Sequence, residues 1–150
     1  MPARPVPPEV DLVILSLVMH VAWEFLQAPW FSSMQAIGHV DGIAICLRAA
    51  LGDVVIAALA FGAAALVGGG RRWAASPGRA AVAVWFGVGL AITVAVEHYS
   101  TAIAGRWAYD PAMPLLPPFG TGLSPALQWV IIPALVLWYL RRLHHPPGLA

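Results

Sequence analysis

Residues 43–67, IAICLRAALGDVVIAALAFGAAALV, decide how the rest of the chain is read. Two charges, Arg48 and Asp53, interrupt an otherwise apolar run. A helix needs roughly 20 such residues to cross a hydrocarbon core of about 30 Å, so the run predicts a transmembrane span. Working outward, residues 10–31, 80–104 and 123–143 predict three more. The connections are 32–42, the basic link 68–79 (GGGRRWAASPGR) and the Pro/Gly-rich 105–122 (GRWAYDPAMPLLPPFGTG). No repeat or second domain is visible. The expectation is an all-α integral membrane four-helix bundle, one domain over 1–150. The first run is expected to be retained rather than cleaved: it is too long for a signal peptide, contains His20 and Glu24, and lacks a small-x-small cleavage site.

Composition agrees. Of 150 residues, 60% are hydrophobic and 10% charged, where a soluble domain carries about a quarter charged residues. This excludes an ordinary water-soluble globule, and disorder with it. Eight arginines, no lysine and seven acids give a net charge of +1, which leaves no basic face for nucleic acid. The single cysteine, Cys46, excludes a disulfide framework and a Cys-based zinc site.

Orientation follows from the arginines. Arg4, Arg71, Arg72, Arg79, Arg141 and Arg142 fall on one side of a four-span chain, and only Arg106 on the other. The positive-inside rule then places both termini in the cytoplasm. The expected location is a multi-pass protein of a membrane, the inner (cytoplasmic) membrane in a bacterium. Trp30 and Trp107 fit an outer aromatic belt; Trp73, Trp85, Trp138 and Tyr139 fit an inner one. Trp23 and Trp129 lie too deep for either.

Ionisable groups inside spans cost at least ~2.5–3.5 kcal/mol each on insertion scales, so their first reading is functional. The first span carries His20, Trp23, Glu24 and Gln27, whose offsets share one helical stripe. The second carries Arg48 and Asp53. Thr93, Glu97, Ser100 and Thr101 form a stripe on the third, with His98 and Tyr99 beside it. Ser124, Gln128 and Trp129 lie on the fourth. Depth counting brings Glu24, Glu97 and Gln128 to one layer in the outer half, with Asp53 slightly deeper. That coincidence predicts one enclosed pocket. Three ionised acids against Arg48 would leave two uncompensated negative charges, so at least one carboxyl is expected to hold its proton. A protonated acid beside an ionised one is what proton transfer needs, and His20 can orient or relay that proton.

Other roles fit the same residues. His20 can serve as a cross-bundle hydrogen bond, Arg48 and Asp53 as a structural ion pair, and His98 and Tyr99 as outer-loop contacts. Asp110 and Arg106 read as solvated loop charge. The prolines of 105–122 predict a stiff cap over the pocket. A metal at His20, Glu24, Glu97 and His98 is not expected, because neighbouring residues diverge by about 100° on a helix. No nucleophile elbow or phosphate loop is present.

The His20-Val-Ala-Trp-Glu24 pattern resembles that of the emopamil-binding protein family of sterol isomerases and its four-helix EXPERA relatives. Asp53 with Gly62 is similar to the family's acid about two turns before a glycine. Gln128-Trp129-Val-Ile-Ile-Pro133 resembles its last helix, though here the amide and tryptophan are adjacent. Arg48 and Glu97-His98 have no counterpart, and the first loop is shorter. The resemblance implies that Glu24 and His20 handle a proton, that Asp53 stabilises a carbocation-like intermediate, and that Trp129 adds cation–π support.

The expected function is therefore acid–base isomerisation or cyclisation of an isoprenoid or sterol-like lipid, without a cofactor. Glu24, Asp53, His20 and Glu97 are the expected catalytic groups. Trp23, Gln27, Arg48, Thr101, Gln128 and Trp129 are the expected substrate contacts. The expected partners are a lipophilic small molecule and membrane lipids, with a homodimer or a larger membrane complex as further assembly. Rival expectations are a non-catalytic lipid-binding or accessory subunit, and a proton-coupled transporter component.

Overall fold

The computed structural model describes residues 6–144, so Arg4, used above for orientation, lies outside the described residues. Of the described residues, 76% are helical. Helix α1 (Pro8–Gln27) opens on a proline, whose missing N–H costs nothing in the first turn. It ends four residues short of the expected span, where Pro29 turns the backbone into a 3₁₀ turn, Ala28–Trp30. A short helix α2 (Ser32–Gln35) leads to α3 (His39–Val67). Helix α4 (Arg79–His98) widens into a π-helical turn, Tyr99–Ile103. A two-stranded antiparallel hairpin, β1 (Leu115–Leu116) with β2 (Thr121–Gly122), precedes α5 (Leu123–His144).

The four long helices form a ring of neighbours: α1 against α3 and α5, and α4 against α3 and α5. Helices α3, α4 with its π turn, and α5 are long and apolar enough to cross a membrane. Helix α1 is not in that set; Asp11, His20, Glu24 and Gln27 interrupt its apolar run. On α3, Ala50, Ala57, Ala60 and Ala64 face inward and let the neighbouring helices approach closely.

Two tryptophans sit differently from the expected inner belt. Trp73 and Trp85 are 4% and 1% exposed and form the core with Phe61, ring centres 5.3–6.3 Å apart. The cause lies in the 68–79 link. Gly69 and Gly70 adopt positive φ, and Trp73 tucks against Gly68, where a side chain would meet its Cβ at 2.6 Å. The Trp85 indole donates to the Pro133 carbonyl at 3.1 Å, inside α5. Trp138 and Tyr139 remain on the outside, with the Arg142 guanidinium 4.2 Å over the Trp138 ring.

Gly89 fixes the α4–α5 distance. A Cβ there would meet the buried Trp129 ring at 2.4 Å. Gly89→Ala should therefore lower stability by about 1–3 kcal/mol through overpacking. Gly87→Ala, two residues away with open space around it, should raise stability by roughly 0.5–1 kcal/mol through helix propensity. Thermal unfolding in detergent reads both; equal shifts of the two variants would contradict this.

Candidate functional site

One amide organises the polar residues of three helices. The side-chain Nε2 of Gln128, on α5, lies 2.8 Å from His20 Nδ1 and 3.2 Å from Glu24 Oε1, both on α1, and 2.9 Å from Asp53 Oδ2 on α3. His20 Nδ1 is also 3.3 Å from Asp53 Oδ2. Gln27 extends the network: it donates to Glu24 Oε1 at 2.8 Å and to Gln128 Oε1 at 3.4 Å. Its own carbonyl accepts from Trp23 Nε1 at 3.2 Å and from Ser124 Oγ at 2.9 Å. The α1 stripe works as a unit because offsets of three and four residues bring side chains together.

Proton counting constrains the chemistry. A primary amide carries two hydrogens, yet Gln128 Nε2 has three acceptors around it. Two hydrogens cannot serve three acceptors, so the His20 tautomer decides how the set is satisfied. The neutral imidazole satisfies it when its own hydrogen sits on Nδ1 and points at Asp53 Oδ2, 3.3 Å away. Three titratable side chains from two helices thus meet at one amide. Glu24 Oε2 and Asp53 Oδ1 take no protein N–H and are not among the enclosed unpaired atoms. Each acid thus has one oxygen fixed by the network and one free of it.

Glu97 sits apart. It shares no hydrogen bond with the Gln128 network among the described residues. Its Oε2 accepts instead from the Tyr109 hydroxyl and, at 3.3 Å, from the Trp107 indole. Thr101 donates to the Glu97 backbone carbonyl at 2.8 Å, within the π-helical turn. Both aromatic partners come from the 105–122 connection, and Tyr109 has no assigned role in the sequence reading. An indole and a phenol two residues apart, just beyond an intramembrane acid, are the signal that could have paired them with it. The Tyr109 ring lies on Gly122, where a Cβ would meet it at 2.8 Å, and against Phe31 at 5.3 Å.

This connection is stitched to the one between α1 and α3. Ser32 N–H donates to the Ala108 carbonyl, Asp110 N–H to the Trp30 carbonyl, and the Gln35 amide to Asp110 Oδ2 at 2.8 Å. Asp110 therefore bridges two loops while its side-chain bonds stay exposed to solvent. His98 bonds the Phe119 carbonyl at 3.2 Å, and Arg106 stacks 5.4 Å over the Tyr99 ring. A cap over this end of the helices results, clamped to α4 by Glu97.

Two expected contacts fall elsewhere. Arg48 is exposed on the outer face of α3 and makes no ion pair or hydrogen bond among the described residues. Its five-residue offset from Asp53 turns it about 140° away on a helix, so the expected Arg48–Asp53 pair does not form. Trp129 is 1% exposed; its ring lies 5.5 Å from that of His20 and on Gly89. It is a wall that holds the imidazole in place. Trp23 is the half-buried aromatic ring of the network. Among the described residues, no three His, Cys, Asp or Glu side chains converge as a metal site would require.

Burial and the Glu97 carboxylate hold the Tyr109 phenol above its ordinary pKa of 10.0. An unfolded chain loses this proton first as pH rises, so stability is full below pH 10 and falls above it. Tyr109→Phe should flatten that alkaline decline. Thermal midpoints between pH 8 and 11 check it, and an unchanged slope would count against the clamp.

Comparison with known family models, with curated proteins and with solved structures finds no match.

Proposed function

We propose that this chain is a four-span membrane protein that moves protons on an isoprenoid or sterol-like lipid. In this reading α1 is the fourth span, and both termini lie in the cytoplasm. The exposed Val13, Ile14, Val18 and Leu26 of α1 support its contact with lipid. The arginines of the 68–79 link and of the α5 end support the orientation, which in a bacterium makes the membrane the inner one.

The observation that carries the chemistry is the Glu24–Asp53–His20 group gathered around one amide. Glu24, protonated, delivers its proton to an alkene carbon of the lipid. The electron pair of the double bond forms the new C–H bond and leaves a carbocation at the neighbouring carbon. Asp53 offers counter-charge to that cation. Loss of a proton from an adjacent carbon to Asp53 or His20 restores a double bond one position along, and exchange through Gln128's neighbours returns the proton to Glu24. No electron leaves or enters, so the step is an isomerisation; capture of the cation by a second alkene would make it a cyclisation. Gln27 and Trp23 hold Glu24 in place. Glu97 is a cap anchor in this scheme, not an acid.

The test is incubation of the purified protein with isoprenoids and sterols in D₂O. Deuterium entering a lipid carbon, dependent on Glu24, is the expected result. A lipid that co-purifies and returns without deuterium overturns the enzymatic reading and leaves a lipid-binding or accessory protein.

A further inference from the structure

Arg48 lies outside the network, and its surroundings point to a different ligand. Outward from Val67, the last residue of α3, about 20 residues fill a 30 Å hydrocarbon core. That count ends at Arg48. The Cα–Cβ bond of a helical residue leans toward the helix N-terminus, which for α3 is the outer end at His39. The guanidinium therefore reaches past the hydrocarbon boundary, into the layer where lipid phosphates lie.

Below Arg48, residues 52, 55 and 59 continue the same face at spacings of four, three and four. Gly52 has nothing within 4 Å, and Val55 and Leu59 are 59% and 57% exposed. From Arg48 to Leu59 the helix rises about 16 Å, close to the roughly 15 Å of one hydrocarbon leaflet. The face thus offers an unpaired five-donor fork above a glycine-notched apolar track one leaflet deep.

We infer that Arg48 and the Gly52–Val55–Leu59 track bind an outer-leaflet phospholipid, the phosphate on the guanidinium and one acyl chain along α3. A second copy of this chain is a poorer occupant. Copies in one membrane share their orientation, so pairing two α3 faces about the membrane normal would set Arg48 against Arg48. A phosphate supplies the missing charge in planar, bidentate geometry. The inference rests on α3 crossing a bilayer and is independent of proton transfer at Glu24.

The experiment is native mass spectrometry of the protein in neutral detergent, titrated with phosphatidylglycerol or with diacylglycerol of the same chains. Wild type should bind phosphatidylglycerol about tenfold more tightly than Arg48→Gln, the worth of one charge-assisted hydrogen-bonded contact. Arg48→Lys should fall between them, and diacylglycerol binding should be the same in all three. Glu24→Gln should bind phosphatidylglycerol like wild type, which separates this site from the proposed chemistry. Equal phosphatidylglycerol affinity in wild type and Arg48→Gln overturns the site, as does an equal loss of diacylglycerol. A dimer that Arg48→Gln abolishes would assign the face to a second chain. If Arg48→Gln fails to fold, the Arg48→Lys comparison decides alone. Extraction from cells without detergent would instead overturn the membrane reading itself.

Discussion

Glu24→Gln should lower turnover of the lipid substrate by about 10²–10⁴-fold, the usual worth of a positioned general acid, while the protein still folds. Glutamine keeps the volume and a carbonyl oxygen at the Oε1 position, so the Gln27 and Gln128 donors retain an acceptor. What it removes is the exchangeable proton. Asp53→Asn should cost a comparable factor, because its amide cannot offset a developing positive charge. The two losses should combine in a strongly non-additive way, as for any pair of residues acting as a unit. Solvent deuterium incorporation gives the rate, and the detergent-solubilised thermal midpoint checks the fold. Full activity in both single variants would end the proposal.

Gln128→Leu should be the most destabilising substitution in the network. It removes the donor shared by His20, Glu24 and Asp53, and the acceptor used by Gln27. Interhelical hydrogen bonds in membranes average about 0.6 kcal/mol, so the four lost contacts alone give about 2 kcal/mol. Groups left unpaired at 1% exposure, such as His20, add roughly 1–3 kcal/mol each where no water reaches them. The two effects are of similar size, and a total of about 4 kcal/mol follows. Gln128→Glu tests the proton count separately, because a protonated acid keeps one donor where the amide had two; it should fold better at pH 5 than at pH 8. A Gln128→Leu protein as stable as wild type would show that the network is not structural.

The apolar runs were legible because length and hydropathy act at the scale of a whole helix. Four runs became α1, α3, α4 and α5, and the i, i+3, i+4 stripe of α1 predicted the grouping of His20, Trp23, Glu24 and Gln27. Depth counting brought Asp53 and Gln128 to the same layer. It carries no information about azimuth, which explains the misplacement of Arg48 and of Glu97. For Arg48 the 140° offset from Asp53 was computable. For Glu97 it was not, because its partners Trp107 and Tyr109 are positioned by an irregular loop whose path depends on Gly122, Phe31 and Asp110 together. Trp73 failed for a similar reason: a turn through Gly68–Gly70 folded it inward, and single-residue hydropathy does not report turns.

The Gln128 bonds also have a consequence in time. They join residues 75 to 108 positions apart in sequence, and α5 is made after α1, α3 and α4. At about 5–20 residues per second, Glu24 and His20 wait on the order of 5–20 s for the amide that holds them. Asp53, in the following helix, waits almost as long. Throughout that interval two acids and an imidazole lack their common donor. The growing chain therefore lives first as an incomplete, acid-bearing hairpin and becomes a settled bundle only in one final event. Truncations that stop before residue 123 should accordingly be degraded rather than accumulate in the membrane.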